Sequence, residues 1–226
     1  MLREIVLDTE TTGLDPAEGH RIVEVAAVEL IDRLPSGRTF QSYLDPERDV
    51  PEEARRVHGL TREFLADFPT FAEAADELLG FLADSPLVIH NAAFDLKFLN
   101  AELARIGREP LSSARVIDTL ALAQRRFPGA PASLDALCRR FAIDASARTV
   151  HGALLDCQLL AEVYLHLSGG RQTALGLVPA AAATLAGPAA APVRRVRAPR
   201  PHAPSAEEEA AHAALVATLV DPVWRR

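Results

Sequence analysis

Over the first 45 residues apolar positions fall in short alternating runs, the period of strands rather than of helices. Glu4-Ile5-Val6-Leu7 reads as a buried strand over about residues 3–8. Val23, Val25 and Ala27 alternate with Glu24 and Ala26 in a second strand over 22–31, and a third is expected over 38–44, with Pro35-Ser36-Gly37 supplying the hairpin turn. The period then lengthens. Thr70-Phe71-Ala72-Glu73 is a capping-box pattern ahead of Leu78, Leu79, Phe81 and Leu82. Strands near 86–90 and 114–117 alternate with helices near 93–106, 119–126, 133–141 and 152–167, and Asp118 is placed to cap the second of these helices. Three meandering strands followed by strand-helix alternation imply an α/β fold: a mixed five-stranded sheet flanked by helices.

The pattern stops at Gly169. Residues 169–205 hold six prolines, five arginines, many alanines and no acid, which reads as a flexible, partly extended linker. Ser205 then begins a last helical segment, 206–226, with Glu207, Glu208 and Glu209 in its first turn and an apolar stripe of Leu215, Leu219 and His212. Asp221-Pro222 ends it before Trp224, the only tryptophan. A helix this short cannot bury its stripe alone, so it suits docking to a partner or packing on its own chain.

Chemistry enters where the apolar runs end. Asp8 and Glu10 close the first strand two residues apart, so they share a face, and paired carboxylates suit hard divalent cations. By itself that pair reads first as a solvated turn. A second cluster, His90-Asn91-Ala92-Ala93-Phe94-Asp95, puts Asp95 in a helix's first turn after Leu87-Val88-Ile89, where a capping role is the plain alternative. The third is His151-Gly152-Ala153-Leu154-Leu155-Asp156. Five residues of helix turn through roughly 500°, so His151 and Asp156 cannot face one site from within a single helix. His151, ahead of Gly152, fits the entering loop instead.

These three segments, the first extended to Val6-Leu7-Asp8-Thr9-Glu10-Thr11-Thr12-Gly13, resemble the three motifs of the DEDDh family of 3′ to 5′ exonucleases, and more narrowly its epsilon-type branch, the proofreading subunits of bacterial DNA polymerase III. The likeness runs from about Glu4 to Ser168 and takes in Val57-His58-Gly59-Leu60, Ser133-Leu134-Asp135-Ala136-Leu137-Cys138 and Arg148-Thr149-Val150-His151. It implies a ribonuclease H-like exonuclease domain over 1–168 and two divalent ions, Mg²⁺ or Mn²⁺, held by Asp8, Glu10, Asp95 and Asp156. It also implies His151 as general base, imidazole being the side chain that titrates nearest neutrality. Thr9, Glu10, Thr11, His58 and Phe94 would meet the terminal nucleotide of a DNA 3′ end, Phe94 serving as a stacking wedge or as core. The C-terminal helix, through Leu215, Leu219 and Trp224, would dock on the polymerase alpha subunit. Gln172-Thr173-Ala174-Leu175-Gly176-Leu177 resembles a sliding-clamp peptide, with Gln172, Leu175 and Leu177 as its contacts, although it lacks the usual aromatic. A small theta-type subunit is a further partner the resemblance allows. The rival within the family is a stand-alone nuclease of RNA or oligoribonucleotide 3′ ends; outside it stands a non-catalytic adaptor.

Charge changes one part of this picture. Residues 1–168 carry 17 basic and 27 acidic side chains, net −10, which argues for weak intrinsic affinity for DNA and for delivery of the substrate by a tethered partner. Two cysteines, Cys138 and Cys157, lack metal-ligand spacing and read as buried thiols of a reducing, cytoplasmic protein. Neither a signal peptide nor a membrane span is expected, because the chain enters a strand at once and no apolar run reaches about 20 residues.

Overall fold

The structure is a computed structural model and describes residues 1–146, 148, 150–169 and 204–218. The chain divides into two compact units, Met1–Leu177 and Val178–Arg226. In the first, five strands, β1 (Arg3–Thr11), β2 (Ile22–Ile31), β3 (Leu34–Tyr43), β4 (Leu87–Ile89) and β5 (Val116–Asp118), form one sheet in the order β3-β2-β1-β4-β5. The β1–β2 and β2–β3 pairs are antiparallel; β1–β4 and β4–β5 are parallel. The helices are α1 (Glu52–His58), α2 (Arg62–Leu65), α3 (Phe71–Leu82), α4 (Ala92–Arg105), α5 (Thr119–Arg126), α6 (Leu134–Phe141) and α7 (Ala153–Leu167).

The mixed five-stranded sheet agrees with the expectation from the sequence, with one correction. The β2–β3 turn is made by Asp32 and Arg33, both at positive φ (50° and 69°), and not by Pro35-Ser36-Gly37. Two successive left-handed residues twist a two-residue hairpin to match its strands. The register slips between the Leu30–Pro35 and Val28–Thr39 pairs, so Ser36 and Gly37 sit in an irregularity within β3, where Gly37 takes φ 90°.

Alternation along β1 decides what each layer of helices meets. Ile5 and Leu7 join Val25, Ala27 and Phe40 of the sheet in a core closed by Phe71, Leu78 and Leu82 of α3 and Phe98, Leu99 and Leu103 of α4. Val6, on the other face, joins Ala26, Val28 and Val88 against Leu137 of α6 and Cys157, Leu160 and Val163 of α7. Both cysteines are buried free thiols. Asp8 and Glu10 continue the face of Val6, so they look toward α7, whereas Thr9 and Thr11 look toward α4.

The helix ends follow local rules. The Glu73 carboxylate of α3 accepts from Thr70 N at 2.7 Å, and Asp118 accepts from Leu120 N and Ala121 N at the start of α5, as its cap position predicts. Asn91, between β4 and α4, takes the left-handed conformation at φ 63°. The chain thereby turns away from β1 after only two parallel register pairs, Ile5–Leu87 and Val6–Val88. The β4 side of residues 8–11 is left open at the carboxyl ends of two parallel strands, the place where sheets of this kind form crevices.

In the second unit the described residues form α8 (Ala206–Ala217), capped by Ser205, whose hydroxyl accepts from Glu208 N at 3.2 Å. Leu215 on it is exposed. Gln172, Leu175, Leu177, Leu219 and Trp224, and the linker arginines, lie outside the described residues. Among the described residues no helix is long and apolar enough to cross a membrane.

Phe98 is fully buried on α4, the helix that carries Asp95. Phe98→Ala is expected to cost about 3–5 kcal/mol of stability, the usual range for emptying so large a core position, read as a lower urea midpoint at unchanged slope.

Candidate active site

A cleft of about 640 Å³ opens where β1 parts from β4, and Asp8, Glu10, Asp95, His151 and Asp156 all line it. Four segments of the chain deliver them. Asp8 and Glu10 project from one face of β1. Asp95, in the first turn of α4, is not that helix's cap, which is Asn91: its Oδ1 accepts from Thr9 N at 3.1 Å and from Thr9 Oγ1 at 2.8 Å, which ties α4 to β1. Asp156 lies in the first turn of α7, and His151 is on the loop before Gly152, its backbone N–H bonded to Val57 O at 2.9 Å. His151 Nδ1 lies 3.6 Å from Asp156 Oδ2. Glu10, His151 and Asp156 each offer a ligand atom within 4.8 Å of the other two. That set, enlarged by Asp8 and Asp95, is an oxygen-rich donor group with one imidazole, which fits hard divalent cations.

Electrostatics sets the cost of this arrangement. Burial, then the charges of Asp156 and Glu24, pushes the Glu10 carboxyl up to about 8. Burial lifts Asp95 to about 7 against the two Thr9 hydrogen bonds, which pull it down. Asp8 is raised well above the carboxylate range by burial and by Asp95, Glu10 and Asp156.

The substrate candidates also lie on this cleft. Thr9, Thr11, His58 and Phe94 are among its lining residues. Phe94 is half-buried and packs on Phe98 with ring centroids 5.0 Å apart, so it is core on one face and cleft wall on the other. His58 ends α1, is 4% exposed and accepts from Leu60 N at Nδ1, while its Nε2 has no hydrogen-bond partner among the described residues. Burial lowers its pKa, which favours the neutral ring. His90 lies on the wall with Nδ1 2.9 Å from Thr119 Oγ1, a supporting position.

Three further residues shape the site without having been assigned roles from the sequence. Glu24 faces Glu10 across the β1–β2 register, buried, and accepts from Ala153 N at 3.2 Å, which anchors the start of α7. Its place two residues before Ala26 on the α7 face was the available signal. Arg148 grips Asp156 with Nε at 2.5 Å and Nη2 at 2.7 Å. His20 stands beside Thr12, and a Cβ on Gly13 would fall 2.3 Å from its ring, so the Gly of Thr-Thr-Gly is set by close approach.

The RNase_T family, described as Exonuclease, matches residues 5–164. The DNA polymerase III subunit epsilon of Rickettsia conorii is 56% identical over 180 residues, 78% of each chain, and that of Escherichia coli K12 is 52% identical over 176 residues, 75% of this chain and 72% of the relative. The chain belongs to this exonuclease family, among the DNA polymerase III epsilon subunits. Solved exonucleases have the same fold: exonuclease X in complex with 5′ overhanging duplex DNA superposes with a TM-score of 0.56 at 27% identity, covering 73% of this chain and 90% of that one. The nuclease domain of 3′hExo, a DEDDh member, gives 0.63 at 21% identity over 74% and 92%. Membership of this exonuclease family implies divalent metal ions.

The raised carboxyl pKa values have a signed consequence for the metal-free exonuclease. A folded-state pKa above the unfolded one means that the folded chain holds more protons, so stability is greatest below about 4.5 and is lost as pH rises to about 8 for Glu10 and about 7 for Asp95. In chelator the melting temperature is expected to fall between pH 5 and pH 8 and then level off. Glu10→Gln should flatten that slope, and added Mn²⁺ should restore stability at pH 8. A melting temperature in chelator that climbs from pH 5 to pH 8 would contradict the assignment.

Proposed function

We propose that Asp8, Glu10, Asp95 and Asp156 hold two divalent cations, Mg²⁺ or Mn²⁺, and that His151 is the general base of a 3′ to 5′ DNA exonuclease that proofreads for DNA polymerase III. The observation that carries this reading is the meeting of all five side chains in one cleft, in a chain of the epsilon family. Cations held there would supply positive charge to the attacking and leaving oxygens of an in-line displacement at phosphorus.

The chain's own groups do the remaining work. His151, half-exposed on its loop and beside Asp156, takes a proton from the attacking water at a ring nitrogen and passes it to solvent. Thr9 and Thr11 line the cleft where β1 is open and can bond a terminal 3′-hydroxyl, and the exposed edge of Phe94 stacks against the last base. His58, whose burial favours the neutral ring, lines the cleft where the same nucleotide would lie. Each turnover breaks one P–O bond, releasing a 5′ nucleoside monophosphate and a strand one nucleotide shorter. Mismatched ends are favoured because frayed bases need less unpairing to reach the cleft.

Residues 1–168 are in this reading the catalytic domain and 169–205 a tether. The segment beyond Ser205, with Leu215, Leu219 and Trp224, docks on the alpha subunit, and Gln172, Leu175 and Leu177 make a weak contact with the sliding clamp. A theta-type subunit would add stability. The setting is the cytoplasm, where replication occurs in bacteria. An acidic catalytic domain needs such tethering, because its own attraction for DNA is weak.

Nucleoside monophosphate release from matched and mismatched DNA primers and from an RNA oligomer, with Mg²⁺, tests the assignment. Mismatched DNA should be digested fastest. Asp8→Ala should abolish release, and His151→Ala should lower kcat by about 10²–10⁴-fold, the usual contribution of a general base. A preference for the RNA oligomer would move the protein to the stand-alone nucleases.

A further inference from the structure

Arg148 belongs to the segment Arg148-Thr149-Val150-His151, yet nothing in the proposed chemistry uses it. Its side chain is 8% exposed and it is fully committed. Nε and Nη2 take both oxygens of Asp156, Nη2 also lies 2.9 Å from His151 Nδ1, and Nη1 bonds Asp135 Oδ1 at 2.7 Å. A bidentate guanidinium-carboxylate fork is the strong form of an ion pair, and Asp156, 4% exposed, has little water to compete with it. Nη2 therefore sits between the two groups, Asp156 and His151, that meet Glu10 at the candidate cation position.

We infer that Arg148 is a stand-in cation: it holds Asp156 and His151 on the cleft when no metal is bound, and it must give up Asp156 for a divalent ion to bind there. The inference rests on the metal-binding reading of the acidic set. Two positive centres cannot share the Asp156 oxygens without strong repulsion, since charges a few ångströms apart in a poorly solvated cleft are weakly screened. Asp135, half-exposed in the first turn of α6, keeps Arg148 from leaving altogether, because Nη1 is already on it. Loading is then an exchange of one cation for another.

This differs in sign from the plain alternative, in which Arg148 only braces Asp156. Bracing would make metal bind better; standing in makes it bind worse. Mn²⁺ binding by calorimetry, together with metal-free melting temperatures, on the full chain as wild type, Arg148→Gln and Arg148→Lys separates the two. Arg148→Lys keeps the charge and loses the fork. The expected result is a lower metal-free melting temperature for both variants, with Mn²⁺ affinity raised about fivefold or more in Arg148→Gln, the low end of ordinary coupling between sites, and by less in Arg148→Lys. Unchanged or weakened Mn²⁺ affinity in both variants overturns the stand-in role while leaving the metal site intact. A wild type that takes up no Mn²⁺, matching Asp8→Ala, overturns the metal reading itself and this inference with it.

Discussion

Mutual repulsion among carboxylates is the constraint around which this fold is arranged. Asp8, Glu10, Asp95, Asp156 and Glu24 are brought to one end of β1, most of them nearly or wholly buried, and burial together with neighbouring carboxylate charge raises the pKa of Asp8, Glu10 and Glu24. A cluster of that kind lowers the stability of the chain that carries it unless something positive is supplied. The structure meets part of the demand with backbone N–H groups, a hydroxyl and a guanidinium: Thr9 on Asp95, Ala153 N on Glu24, the Arg148 fork on Asp156. The rest is left for cations. The well-packed core on both faces of the sheet is what makes such a tolerated instability affordable.

The same acids are delivered by elements of very different rigidity. β1 is clamped over its whole length by β2, and Asp95 is bonded directly to it, so three carboxylates are fixed to the sheet. Asp156 is held by α7, itself anchored through Ala153 to Glu24. His151 alone sits on a loop, half-exposed, with a single backbone bond to Val57 beside the helix end that carries His58. The four carboxylates are thus on regular structure, and the imidazole is on a loop.

Much of this was legible in the sequence because strand alternation and helix caps are local signals. Asp8 and Glu10 on one face, Asp118 as a cap, Asp95 in a first turn and His151 on an entering loop all follow from spacing alone. What was not legible depends on pairing across the chain. Pro35-Ser36-Gly37 has turn composition, but the hairpin was decided by β2–β3 register, which put the tight turn at Asp32-Arg33 and left Gly37 to an irregularity. Glu24 looked like the polar phase of a strand; only its partners, Glu10 across the sheet and Ala153 from α7, reveal what it does. Arg148 stood in a recognisable segment, but its grip on Asp156, in the first turn of α7, is a contact no periodicity encodes.

The alternation of β1 also ties correct folding to chemistry. Even positions carry Asp8 and Glu10 beside Val6, and odd positions carry Thr9 beside Ile5 and Leu7, each set matched to a different layer of helices. A slip of one residue would turn the acids toward α4 and the leucine toward α7, destroying core and cleft together. Molecules trapped in that state have no assembled cutting centre. An enzyme whose stray activity would erode newly made DNA is thus inert until its central strand has found its proper partners.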